Sequence, residues 1–169
     1  MKVTVETIKE LREQSGAGVM ECRNVLVETD GDVGKAVELL KQRSLFKAEK
    51  KKERVTSQGL VEAYIHTGGR IGAMVEINCE TDFVARTDEF KMLAHNIAMQ
   101  VAALSPQFIS PEENKTEDVP ADPGCPCLLQ QPYIKDPSIT IQDLINQTIA
   151  KVGENIRVSK FTRFEVGGD

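Results

Sequence analysis

The sequence predicts an α+β fold: a three-helix bundle over residues 1–57, then a small three-stranded antiparallel sheet packed with helices over residues 58–169. Three observations carry that expectation. Apolar residues recur at helical spacing up to about Leu40, alternate from Val61 to Cys79, and return to helical spacing near Phe90 and again near Ile141. Charge divides at the first of these switches: 12 Lys/Arg stand against 10 Asp/Glu up to Ser57, a balance of +2, and 9 against 16 beyond it, −7. All seven prolines fall within residues 105–137, which marks an irregular connector, because Pro suits neither helix interiors nor central strands.

The first part reads as three short helices. Val5, Ile8 and Leu11 form one apolar stripe, Met20, Cys22, Val25 and Leu26 a second, and Val33, Ala36, Val37 and Leu40 a third. Gly16-Ala17-Gly18 and Asp30-Gly31 break them, and Asp32 can cap the third by accepting from its first backbone N–H groups. The boundary follows the charged run from Lys47 to Arg54.

Beyond it, Val61, Ala63 and Ile65 alternate, as do Ile71, Ala73, Val75, Ile77 and Cys79, with Thr67-Gly68-Gly69 between them. This is a hairpin, and pairing Ile65 with Ile71, Ala63 with Ala73 and Val61 with Val75 over a three-residue loop keeps one face apolar. Phe90, Leu93, Ala94, Ile97, Ala98, Val101 and Leu104 then predict a helix capped by Thr87, with Asp88 and Glu89 in its first turn. A last helix starts at Thr140, carries Ile141, Leu144, Ile145, Ile149 and Val152, and ends at Gly153. The tail from Ile156 to Val166 reads as a third strand, and Lys160 and Thr162 on its expected apolar side point to a bulge.

Composition and spacing exclude several classes. A net charge of −5 argues against general nucleic-acid binding, which needs a cationic face. No run reaches the length of a membrane span, and the opening residues lack the apolar core of a secretory signal, so a cytoplasmic location is expected. Cys22, Cys79, Cys125 and Cys127 are then expected to be reduced thiols. Cys125 and Cys127 supply two metal ligands at most, and there is no second cluster, so no metal is expected. The glycines fit neither a dinucleotide fingerprint nor a P-loop, so no nucleotide cofactor is expected. His66 and His95 lie on different elements without a partnering nucleophile, so catalysis is not expected. The basic run at residues 47–54 contains Glu49 and Glu53 and no aromatics, and reads as a solvated helix end.

One stretch stands apart. Thr81-Asp82-Phe83-Val84-Ala85 lies between a strand and a helix, yet carries two large apolar residues beside a carboxylate. Phe83 can act as a hydrophobic staple at the helix entrance, or as a projecting aromatic wedge that anchors an interface. Val19 and Met20, after the glycine loop, pose the same choice between core and contact.

These residues carry a resemblance. Leu11-Arg12-Glu13 through Gly16-Ala17-Gly18-Val19-Met20-Glu21-Cys22 resembles the amino-terminal signature of the elongation factor Ts family. So do Gly59 to His66, Val75 to Ala85, Ile149 to Ile156 and Phe161 to Phe164, in the family's order and over nearly the whole chain outside the connector. The resemblance implies a guanine-nucleotide exchange factor for elongation factor Tu (EF-Tu), not an enzyme. It implies that the bundle is ubiquitin-associated-like (UBA-like) and docks on the GTPase domain through Arg12, Val19 and Met20, Val19 standing where many members have Met. It further implies that Thr81, Asp82, Phe83 and Val84 enter EF-Tu beside its magnesium site. Residues 105–137 are too few for a second core half, so a homodimer is expected to supply it. The alternative is a UBA-type adaptor for another partner, which has no need of an aromatic and acidic tip.

Overall fold

A computed structural model describes residues 3–111 and 127–168. The chain is α+β. Helices α1 (Val5–Ser15), α2 (Val19–Glu28) and α3 (Val33–Glu49) are followed by strands β1 (Gln58–Ile65) and β2 (Ile71–Cys79). A four-residue helix α4 (Asp82–Ala85) leads into the long helix α5 (Asp88–Leu104). A 3-10 turn η1 (Leu128–Gln130), a short pair β3 (Pro132–Tyr133) and β4 (Asp136–Thr140), helix α6 (Ile141–Val152) and strand β5 (Ile156–Glu165) complete it.

The caps expected at Asp32 and Thr87 are in place, and Thr140, where the last helix was expected to start, is its cap. Asp32 accepts from the Lys35 N–H, Thr87 from the Phe90 N–H and Thr140 from the Asp143 N–H, each satisfying a backbone donor that the helix cannot. Gly16 and Gly153 end α1 and α6 in the left-handed region, with φ of 64° and 80°. Gly16 also lies close under α6: a Cβ there would meet Lys151 Nζ at 2.7 Å.

Two apolar clusters result. The bundle closes over Leu11, Cys22, Val25, Leu26, Ala36 and Leu40. The larger cluster lies between the sheet and the helices, with Phe90, Leu93, Ile97 and Val101 of α5 and Ile141, Ile145 and Ile149 of α6 against Ala73, Val75 and Ile77. Ala48, in the last turn of α3, is buried in this second cluster, so α3 packs on α6 and reaches from one cluster to the other.

The main sheet is antiparallel in the order β1-β2-β5. Its register corrects the sequence reading of the hairpin. Ile65 pairs with Gly72, Tyr64 with Ala73 and Glu62 with Val75, one residue off the expected pairing. The His66 N–H donates to the Ile71 carbonyl at 2.8 Å, so four residues form the loop, where three were expected. The shift sends Leu60, Glu62 and Tyr64 to the helical face, and leaves Val61 and Ile65 63% and 66% exposed. Two neighbours make the polar member tolerable: His95 Nδ1 lies 3.2 Å from Glu62 Oε1, and the Tyr64 ring meets the His95 ring edge-on at 5.6 Å. In β5 the expected bulge is present, with Glu76 opposite Lys160 but Ile77 opposite Val158. The extra residue reverses the alternation, so Val158 and Phe161 both face the core, while Lys160 faces out and pairs with Glu76 at 3.1 Å.

The irregular connector needs the second correction. Its described ends are part of the core: Ile109, Leu128 and Tyr133 are buried, and Phe108 forms a parallel bridge with Cys127. Buried Gln100 of α5 holds the returning chain, its amide donating to Gln131 Oε1 and the Pro132 carbonyl and accepting from the Ile134 N–H, all within 3.1 Å. The β3–β4 pair was not expected, because a Pro-rich run hides short edge strands whose first residue tolerates the missing donor. Cys22 and Cys79 are buried, unbridged thiols, Cys127 is buried as well, and Cys125 lies outside the described residues.

Candidate functional site

The distinctive stretch after β2 is a capped turn that presents one aromatic ring to solvent. Thr81 is the cap, with Asp82, Phe83 and Val84 as the first three helical residues. At the third position the side chain points inward: Val84 is 9% exposed and Ala85 8%. At the second it points outward, and Phe83 is 79% exposed. A staple joins the residue before a cap to the fourth helical residue, positions that Arg86 and Lys91 hold for α5. Phe83 occupies neither, so it is no staple and its ring projects from the fold. Beside it, Asp82 Oδ2 lies 2.8 Å from Arg86 Nη2 on the surface.

The base of this tip is held by polar contacts. Glu154, just after α6, accepts from the backbone N–H groups of Glu80 and Thr81 at 3.2 and 3.0 Å, and from Thr81 Oγ1 at 2.6 Å. The Cys79 thiol donates to the Thr81 carbonyl at 3.1 Å. Burial, with the Glu154 charge behind it, pushes that thiol up to about 11, so it packs as a neutral group and is no nucleophile at neutral pH. Neither Glu80, Glu154 nor Asn155 had been singled out from the sequence. Glu80 falls within the family-like stretch from Val75 to Ala85, and Glu154 and Asn155 within that from Ile149 to Ile156, but periodicity treats all three positions as loop.

The bundle presents a second group. Arg12 is exposed on α1, and Val19 and Met20 open α2 at 49% and 63% exposure, so both apolar side chains are surface residues and neither belongs to the bundle core. Arg12 and Val19 line one groove between the glycine loop and α6, which Gln147 and Lys151 wall on the other side and which reaches Glu89 in the first turn of α5. Met20 lies outside that lining. Of the basic run, Lys47 is tied to Glu21 at 2.6 Å and Arg54 to Glu80 at 3.5 Å, so part of it is used inside the fold.

The two histidines, separate in sequence, meet at one tyrosine: Tyr64 Oη lies 3.1 Å from His66 Nδ1, and the Tyr64 ring also meets the His95 ring. No serine or cysteine nucleophile joins them among these contacts. Among the described residues no cluster of three or more His, Cys, Asp or Glu is placed to hold a metal ion, and no helix is long and apolar enough to cross a membrane.

Known proteins resemble this chain in sequence. Residues 2–122 match the family described as Elongation factor TS. The chain is similar to the elongation factor Ts of Heliobacterium modesticaldum, 47% identical across 98% of this chain and 90% of that protein. It is similarly close to those of Desulfosudis oleivorans (45%, covering 98% of each) and Thermotoga neapolitana (45%, covering 99% of this chain and 98% of the relative).

Proposed function

This chain belongs to the elongation factor Ts family of translation elongation factors, and from that premise we propose that it is the guanine-nucleotide exchange factor for EF-Tu. The observation that carries the proposal is Phe83, an aromatic ring left in solvent on a capped, braced turn inside the Thr81–Val84 motif. Magnesium neutralises the phosphates of bound GDP, and much of the nucleotide's affinity depends on it. Phe83 enters the GTPase domain of EF-Tu beside that ion, with Asp82 alongside and Thr81 and Val84 setting its angle. The intrusion distorts the site and GDP leaves. The factor makes and breaks no covalent bond, so it is no enzyme in the chemical sense, and it acts in the cytoplasm where EF-Tu works. Coupling is reciprocal: GDP weakens the factor's hold as much as the factor weakens GDP's.

The bundle of residues 1–57 is the docking arm, UBA-like, with Arg12, Val19 and Met20 on the GTPase domain. Their exposure supports this, as nothing inside the bundle requires them at the surface. Truncation at residue 57 would also remove Ala48 from the main core, so Arg12→Ala with Met20→Ala is the cleaner test. Weakened binding to EF-Tu with intact folding is expected, and unchanged affinity would take the bundle out of the interface.

The second copy expected in the homodimer has a surface to meet. The outer face of the main sheet is uncovered, and it carries Val61, Ile65, Met74 and Phe164, each at least 46% exposed. Pairing two such faces about a twofold axis buries them. Sedimentation equilibrium at micromolar concentration should give twice the single-chain mass; the single-chain mass throughout would defeat the dimer. For the exchange function itself, fluorescent GDP is released from EF-Tu with and without this protein. Strong acceleration is expected, and none would return the UBA-type adaptor for a different partner.

A further inference from the structure

A four-residue helix cannot hold its own direction in water, since nucleating one turn fixes more dihedral freedom than its hydrogen bonds repay. Val84 and Ala85 seat α4 in the main core, Phe83 adds no contact there, and the start of the helix is held by polar bonds at its base. That base is Glu154. Gly153, at φ 80°, turns the chain sharply at the end of α6, and the next side chain reaches the β2–α4 turn. One carboxylate takes both N–H donors of that turn and the Thr81 hydroxyl. Bonds from a charged acceptor to several donors at once are the strong kind.

The neighbouring residue braces the other side. The Asn155 N–H donates to Glu80 Oε1 at 2.7 Å, and its Nδ2 donates to the carbonyls of Lys52 and Arg54 at 3.2 and 2.9 Å. The Arg54 guanidinium reaches the same Glu80 oxygen. Two consecutive residues thereby join the exit from the bundle, the base of the tip and the end of α6, with bonded residues 26 to 103 positions apart in sequence.

We propose that Glu154 is the positioning residue of the tip: it fixes the direction from which Phe83 meets its partner, while Asn155 extends the same brace to the segment leaving the bundle. The inference rests on the exchange reading of Phe83. It implies that the tip and the docking arm are presented as one rigid unit, so the binding of one helps to place the other.

The test compares wild type, Glu154→Gln, Phe83→Ala and the double variant, measuring stimulated GDP release over a range of EF-Tu·GDP concentrations. Gln keeps the shape and one acceptor oxygen but turns an amide donor toward the donors of the turn. Glu154→Gln is expected to lower kcat about tenfold, the scale of one lost charge-assisted bond, with KM within about twofold. The double variant should be no slower than Phe83→Ala alone, because Glu154 acts only through the tip. Amide exchange in the free full-length protein should quicken about tenfold at Asp82 to Arg86 and stay unchanged along α5. Wild-type release by Phe83→Ala sinks the exchange reading itself. A slow Phe83→Ala with a normal Glu154→Gln, or with losses that add in the double variant, overturns the positioning role alone. So does acceleration of exchange along α5 as well, which would make Glu154 a general support of the fold.

Discussion

Two helix starts stand side by side and differ in one residue's character. Thr81 and Thr87 each cap a helix, and Asp82 and Asp88 each follow as the first helical residue. At the third position Val84 and Phe90 are both buried. At the second, Phe83 and Glu89 are both exposed. Backbone and cap therefore treat the two alike, and Phe83 occupies the place that the next helix gives to a carboxylate. The lesson is that Phe83 is exposed by ordinary geometry, whereas its identity serves nothing inside the fold. The exchange proposal gives that identity a reason in a partner.

The largest effect should come from the buried ring. Phe90 is fully buried, and Phe90→Ala should cost about 3–5 kcal/mol of stability by urea unfolding, through lost transfer energy and the cavity left behind. A cost below about 1 kcal/mol would mean that the first turn of α5 is loosely packed, and the contrast with α4 would collapse.

Phe83→Ala should leave the unfolding midpoint nearly unmoved, within about 0.5 kcal/mol, because the ring has little area to lose from burial. GDP release from EF-Tu should nevertheless slow about thirtyfold or more, the equivalent of roughly 2 kcal/mol at an interface anchor. Phe83→Glu sharpens the comparison by making the start of α4 a copy of α5. Normal folding with no stimulated release is expected. If either variant unfolds, Phe83 supports the core after all.

Much of this arrangement was legible. Helix caps are local, so Asp32, Thr87, Thr140 and Gly153 could be placed from three or four neighbours each. The bulge in β5 showed itself as Lys160 and Thr162 on the wrong parity. The hairpin register was not legible, because β1 offers two half-apolar faces. Val61, Ala63 and Ile65 look better by hydropathy than Leu60, Glu62 and Tyr64, and only His95 from a distant helix makes the second set acceptable inside. The same limit hid Glu154: a carboxylate in a turn is unremarkable until a segment more than 70 residues away supplies its donors.

A smaller effect separates the two caps. Thr87 Oγ1 accepts from the Phe90 N–H and donates to the Val84 carbonyl at 2.8 Å, so Thr87→Ala should cost about 1 kcal/mol of stability. Thr81 Oγ1 accepts only a long 3.5 Å bond from the Val84 N–H and gives its hydrogen to Glu154. Thr81→Ala should therefore destabilise less than Thr87→Ala and slow GDP release more. The reverse ranking would show that the two caps do the same job.

The smallest effect concerns the charge beside the ring. Asp82 and Arg86 form an exposed pair four residues apart, 2.8 Å between charged atoms, with the acid toward the helix start, where the helix dipole also favours it. Pairs of this kind contribute about 0.3–0.5 kcal/mol, so Arg86→Ala should shift unfolding by no more than that. Its effect on exchange follows from which partner meets the nucleotide site. If Asp82 acts there as a negative group, losing Arg86 leaves that group unneutralised, and stimulated release should stay within about twofold of wild type. Asp82→Asn keeps the shape, removes the charge and should slow release more than Arg86→Ala does. Release measured for both variants at low and high salt settles the order, since exposed charges are screened as ionic strength rises. Should Arg86→Ala instead slow release as far as Phe83→Ala, the contact surface would extend past the tip to the start of α5, and the two helix starts would belong to one interface.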